Sequence, residues 1–69
     1  MKKLTSLMSK YVLYDVTDDT VQVYLDGSKA VLYDTIEDAH KAWVGYPEQP
    51  IMVTDLPKRH REQIIAENN

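Results

Sequence analysis

The hydrophobic pattern of this chain changes its period at Asp34–Thr35, and that switch decides the class of fold. Before it, apolar side chains alternate. In Thr20–Leu25, Val21, Val23 and Leu25 fall on one side and Gln22 and Tyr24 on the other, the two-residue repeat of a half-buried strand. After it, Ile36, Ala39, His40 and Trp43 recur at helical spacing. A chain with strands first and helices after is an α+β domain, not a bundle or a doubly wound sheet.

The turn chemistry divides the first half into three strands. Lys10–Val16 is rich in tyrosine, valine and leucine and is closed by Thr17-Asp18-Asp19-Thr20, aspartates being able to bond their own backbone in a turn. Thr20–Leu25 follows, and Asp26-Gly27-Ser28 is a hairpin signal that leads into a third strand, Lys29–Asp34. Thr35 is then a good N-cap, with Asp38 in the capping-box position and Glu37 favourable to the helix dipole. The helix is expected over Ile36–Val44, stopped by Gly45 as a C′ residue. Tyr46 to Pro50 reads as a loop and Ile51–Thr54 as a short strand. Asp55 is placed to cap a second helix with Pro57 in its first turn, and Leu56, His60 and Ile64 share a face of it, with Ile65 alongside. The expected order is βββαβα: a small antiparallel sheet, a β-meander plus a further short strand, packed by one or two helices.

At 69 residues there is room for one domain, assigned to 10–69, with residues 1–9 as a flexible N-terminal tail. Met8 could serve as a second start, and Leu4, Leu7 and Met8 have the spacing of an amphipathic turn able to dock on the body or on a partner. With no cysteine in the chain, disulfides and thiolate metal sites are excluded. No apolar run has the length of a signal peptide or a membrane span. The expectation is a soluble, cytoplasmic protein with no membrane attachment.

Catalysis is poorly served by these residues. His40 and His60 lie on different helices, and Gly27 and Gly45 are too few and too far apart for a phosphate-binding loop. Asp18 and Asp19 sit in a turn, where carboxylates are solvated and not poised as an acid/base pair. His40 with Glu37, or His60 with Asp55, supplies two donors where a metal needs three or four. The acids of residues 15–26 lack the glycine and closing glutamate of a calcium loop. The chain is therefore expected not to be an enzyme and to need no metal or other cofactor.

Charge carries more information. From Tyr11 to Pro57 nine acids stand against two lysines, giving a body of about −7. Lys2, Lys3 and Lys10 lie before it, and Lys58, Arg59 and Arg61 after it. On a helix Lys58 and Arg61 sit together with Arg59 to the side, a patch suited to phosphates or to an acidic protein surface. The acidic body and a pI near 5.1 make direct nucleic-acid binding unfavourable. The carboxylates Asp15, Asp18, Asp19 and Asp26 have an alternative use, as a mimic of nucleic acid that fills a basic groove.

Ala30-Val31-Leu32-Tyr33-Asp34-Thr35-Ile36-Glu37-Asp38-Ala39, through Trp43 to Val53-Thr54, resembles the strand–helix–strand core of the short RNA polymerase inhibitors made by lytic phages. The likeness spans about a third of the chain. It implies a domain without catalytic groups that covers a functional surface of a host enzyme. The second helix and its arginines depart from that family.

Together these readings give a non-enzymatic binding module, a monomer or weak dimer, that docks on a larger host protein. Tyr14, Tyr24 and Tyr46 are its candidate aromatic anchors, and Lys58, Arg59 and Arg61 its polar contacts. Trp43 is expected to be buried on the strands beside Val21, Val23, Ile36, Ala39 and Ile51, so that Trp43→Ala costs about 3–5 kcal/mol. An exposed indole would instead put Trp43 at the head of the anchors.

Overall fold

The fold is described from a computed structural model, covering residues 6–46 and 48–68. It is α+β. The N-terminal strand breaks at Leu13 into β1 (Tyr11–Val12) and β2 (Tyr14–Asp15). β3 (Thr20–Val21) pairs antiparallel with β2, Tyr14 opposite Val21 and Asp15 opposite Thr20. β4 (Ile51–Met52) pairs antiparallel with β1, Tyr11 opposite Met52 and Val12 opposite Ile51. Two small antiparallel ladders thus stand where one meander was expected.

The third expected strand survives only as two bridges, Val23 with Ala30 and Tyr11 with Tyr33. Its backbone bonds go to both ladders: Val31 N–H donates to Gln22 O at 3.0 Å, and Tyr33 N–H to Tyr11 O at 2.9 Å. Segment 30–33 therefore runs beside the β3 hairpin and then crosses to β1. Gly27, with φ at +72°, makes the intervening turn as the hairpin signal requires. The alternation in Thr20–Leu25 stops burying side chains after Val21: Val23 is exposed and Leu25 lies wholly in solvent.

Helix α1 (Ile36–Ala42) starts where the capping residues place it, the Thr35 hydroxyl accepting from Asp38 N–H at 3.0 Å. It buries Ala39 completely and packs on β1. Its end is earlier than expected. Trp43, with φ −138° and ψ 83°, already leaves the helical conformation before Gly45 turns the chain at φ +83°. After β4, Val53–Asp55 forms a single 3₁₀ turn in place of the end of a strand. Helix α2 (Lys58–Glu67) follows, with Pro57 at its N-cap position and no side-chain cap. Asp55 belongs to the 3₁₀ turn and caps nothing, a second correction to the sequence reading.

The core is Val12, Ala30, Val53, Leu56 and Ile64, flanked by Tyr14, Val21, Leu32 and Ile51. Leu56 and Ile64 both reach it, as their common face predicts, although Leu56 precedes the helix. Residues 6–8 form a helical turn whose Leu7 and Met8 also pack against this core. Residues 1–5 of the tail assigned to 1–9, with Lys2, Lys3 and Leu4, fall outside the described residues, as do Pro47 in the loop and Asn69. Among the described residues no helix is long and apolar enough to cross a membrane.

Candidate functional site

Two clusters of sequence-predicted site residues form in the structure, and they differ in kind. The first joins α2 to the turn after β2. Asp19 sits in that turn at φ +58°, a left-handed conformation that aspartate tolerates better than most side chains. Its Oδ1 accepts from the Tyr14 hydroxyl at 2.6 Å and faces His60 Nε2 at 3.0 Å. His60 Nε2 also lies 3.1 Å from the Asp19 carbonyl oxygen. Both partners are acceptors, so Nε2 carries the proton. Arg59 pairs with the other carboxylate oxygen of Asp19. The Tyr14 ring meets the His60 imidazole edge-on at 5.6 Å.

The predicted polar contacts also have partners within the chain. Arg59 is held by Asp19, Lys58 reaches Glu62 one turn along α2 at 3.9 Å, and Arg61 donates to Thr54 O at 3.3 Å. Tyr14 is half-buried and its hydroxyl donates to Asp19 Oδ1. Arg59, His60 and Arg61 thus tie α2 to the rest of the fold, while Lys58 pairs within the helix. Among the described residues, no three histidine or carboxylate side chains gather in a way that could hold a metal ion.

The second cluster lies on the other side of β2, where α1 ends. Trp43 keeps 51% of its surface exposed and meets the half-buried Tyr46 ring edge-on, with centroids 6.2 Å apart. The burial expected of Trp43 is therefore overturned. Its helical spacing from Ile36 and Ala39 loses meaning once the backbone departs from the helix at Trp43 itself. Of the five neighbours named for it, Val21 lines a cavity of about 220 Å³ with it, together with Leu13 and Gln22. On its other side a larger open cavity of about 610 Å³ is lined by Asp15, Thr17, Asp18, Trp43, Tyr46 and Glu48.

Local bonds hold that rim in place. Asp15 Oδ1 accepts from the backbone N–H groups of Thr17 and Asp18 at 2.9 and 3.1 Å, an Asx-type turn. Glu48 Oε2 accepts from Val16 N–H at 3.0 Å, which tethers the loop after α1 to the β2–β3 turn. Burial, aided by the charges of Glu48 and Asp15, raises the Tyr46 phenol above its ordinary pKa of 10.0. Among the described residues none of Asp15, Asp18 and Glu48 enters an ion pair.

The four acids proposed as a nucleic-acid mimic are dispersed. Asp15 and Asp18 reach the aromatic rim, whereas Asp19 turns to α2. Asp26 lies at the opposite end of the Thr20–Leu25 stretch, accepting from Ser28 N–H at 2.9 Å. The Ser28 backbone and hydroxyl hold its carboxyl below the ordinary 3.8. Tyr24 is exposed beside Leu25 near that far turn, apart from Tyr46. Sequence reasoning missed Trp43 and Glu48 as site residues. The signal that locates Trp43 is Gly45, which marks a helix end two residues later, where periodicity no longer fixes the direction of a side chain.

No protein-family model matches this chain, and no curated protein or solved structure matches it.

Proposed function

We propose that this chain is a small non-enzymatic binding module that docks on a larger protein through the Trp43–Tyr46 face. The observation that carries this reading is the exposure of the only tryptophan, with Tyr46 beside it, in a chain whose core is small. A large aromatic left half in water forgoes burial that a domain of this size needs. Tryptophan and tyrosine are also the side chains that most often carry binding energy in interfaces. The likeness of residues 30–54 to phage inhibitors supports a host RNA polymerase as the class of partner.

Affinity purification from host lysate, comparing wild type with Trp43→Ala, tests the proposal. A protein retained by the wild type and lost from the variant, at equal far-UV circular dichroism, is the expected result. Equal retention by both chains, or no retention by either, contradicts it.

A further inference from the structure

The groove beside Trp43 has a chemistry that narrows the partner. The residues known to line it present two aromatic side chains, three carboxylates and the hydroxyls of Thr17 and Tyr46, and no cation. Its volume of about 610 Å³ lies within the roughly 300–1,000 Å³ of ordinary ligand sites, which admits more than one side chain of a peptide. The three carboxylates share one cavity with the two aromatic rings, although Asp26, Glu37, Asp38, Asp55 and Glu67 are likewise without an ion pair among the described residues. Asp19, Asp34 and Glu62 are each matched by a cation of this chain, whereas among the described residues Asp15, Asp18 and Glu48 are not. Each is also positioned: Asp15 and Glu48 are fixed by backbone donors, and Asp18 follows in the turn that Asp15 holds.

We infer that the occupant of this groove is a cationic segment of the partner protein, an arginine- or lysine-bearing stretch that also offers an apolar side chain. The apolar group packs against the indole and phenol. The cation takes a position over a ring face, where the negative quadrupole attracts it, while the carboxylates surround it. An acidic or phosphate-bearing ligand is excluded from the same groove by its three like charges. This inference rests on the binding-module reading and adds the partner's charge to it.

The test uses the full chain and a library of random peptides about twelve residues long, selected on the wild type and counter-selected on Trp43→Ala. Winning peptides are labelled and measured by fluorescence anisotropy. The second variant combines Asp15→Asn, Asp18→Asn and Glu48→Gln. Asparagine and glutamine keep the oxygens that accept from Thr17, Asp18 and Val16 N–H, so the loop bonds survive while the charge is lost. The expected peptides carry arginine or lysine beside an apolar residue. They should bind Trp43→Ala and the charge-neutral variant each about tenfold or more weakly, and their affinity should fall as salt rises from about 0.05 M to about 0.5 M.

Acidic or uncharged winners, or an affinity unmoved by the charge-neutral variant and by salt, overturn the cationic partner while leaving a Trp43-dependent binding module standing. Failure to select any peptide that distinguishes wild type from Trp43→Ala overturns both. Self-association of the chain through this groove, seen as a dimer that Trp43→Ala dissolves, also overturns the inference in favour of a second copy.

Discussion

Helices α1 and α2 dispose of their side chains in opposite ways. Helix α2 drives Ile64 into the core and spends Lys58, Arg59, His60 and Arg61 on Glu62, Asp19 and the Thr54 carbonyl. Glu67, near its end, accepts from Ala30 N–H at 2.9 Å and so joins α2 to the segment after the hairpin. Helix α1 buries Ala39 alone and delivers the largest apolar side chain of the protein to solvent. Helix α2 is bonded into the fold through Arg59, His60 and Arg61, whereas α1 leaves an aromatic face beside carboxylates without ion-pair partners among the described residues.

The largest expected effect sharpens that contrast. Ile64→Ala, which deletes a fully buried side chain of the core, should cost about 2–5 kcal/mol, enough to unfold much of a domain this small. Trp43→Ala should cost about 1 kcal/mol or less, since the indole is half in water and only its contacts with Tyr46 and the β2–β3 edge are lost. Urea denaturation of both variants reads the difference. Equal costs would erase the distinction between a structural and a presented helix.

The neighbouring acids Asp18 and Asp19 give the next comparison. Asp19→Asn keeps a side chain suited to positive φ but weakens the bonds to Tyr14, His60 and Arg59, and should destabilise by about 1 kcal/mol. Asp18→Asn should stay within about 0.5 kcal/mol. If both behave alike in urea, the tie between the turn and α2 contributes nothing.

What the sequence made legible here was local. The Thr35 cap, the Gly27 and Gly45 turns and the α+β class all rest on backbone chemistry of adjacent residues, and each is present. The strands proved harder. A two-residue alternation marks a stretch that can bury one face, but Val23 and Leu25 run past the end of the core, so nothing covers them. The error at Trp43 has the same root. Period and size argued for burial, while the exit of the chain from α1 was a matter of one residue. Charge partners are less accessible still: Asp19 and Arg59 are forty positions apart, and no local pattern in either segment announces their pairing. Tyr46 was legible as an aromatic in a loop, but its association with Asp15 and Glu48 required the tertiary fold.

A smaller effect tests that association. Because burial, then Glu48 and Asp15, raise the Tyr46 pKa in the folded chain, the neutral phenol is favoured there. The stability this contributes is complete below the unfolded value near 10.0 and is lost as pH rises through the higher folded value. Nuclear magnetic resonance titration of the Tyr46 ring should therefore show ionisation above 10.0, and Glu48→Gln should move it downward. A midpoint that ignores Glu48→Gln would separate the carboxylate from the aromatic pair.

The most direct test of the presented face is the fluorescence of the one tryptophan, which reports on this site alone. In the free chain the emission should lie towards that of solvated indole and be readily quenched by acrylamide. On addition of a peptide selected for the groove it should shift to the blue and become protected. A blue, protected emission in the free chain would show Trp43 already buried, and an unchanged spectrum at saturating peptide would place the contact elsewhere.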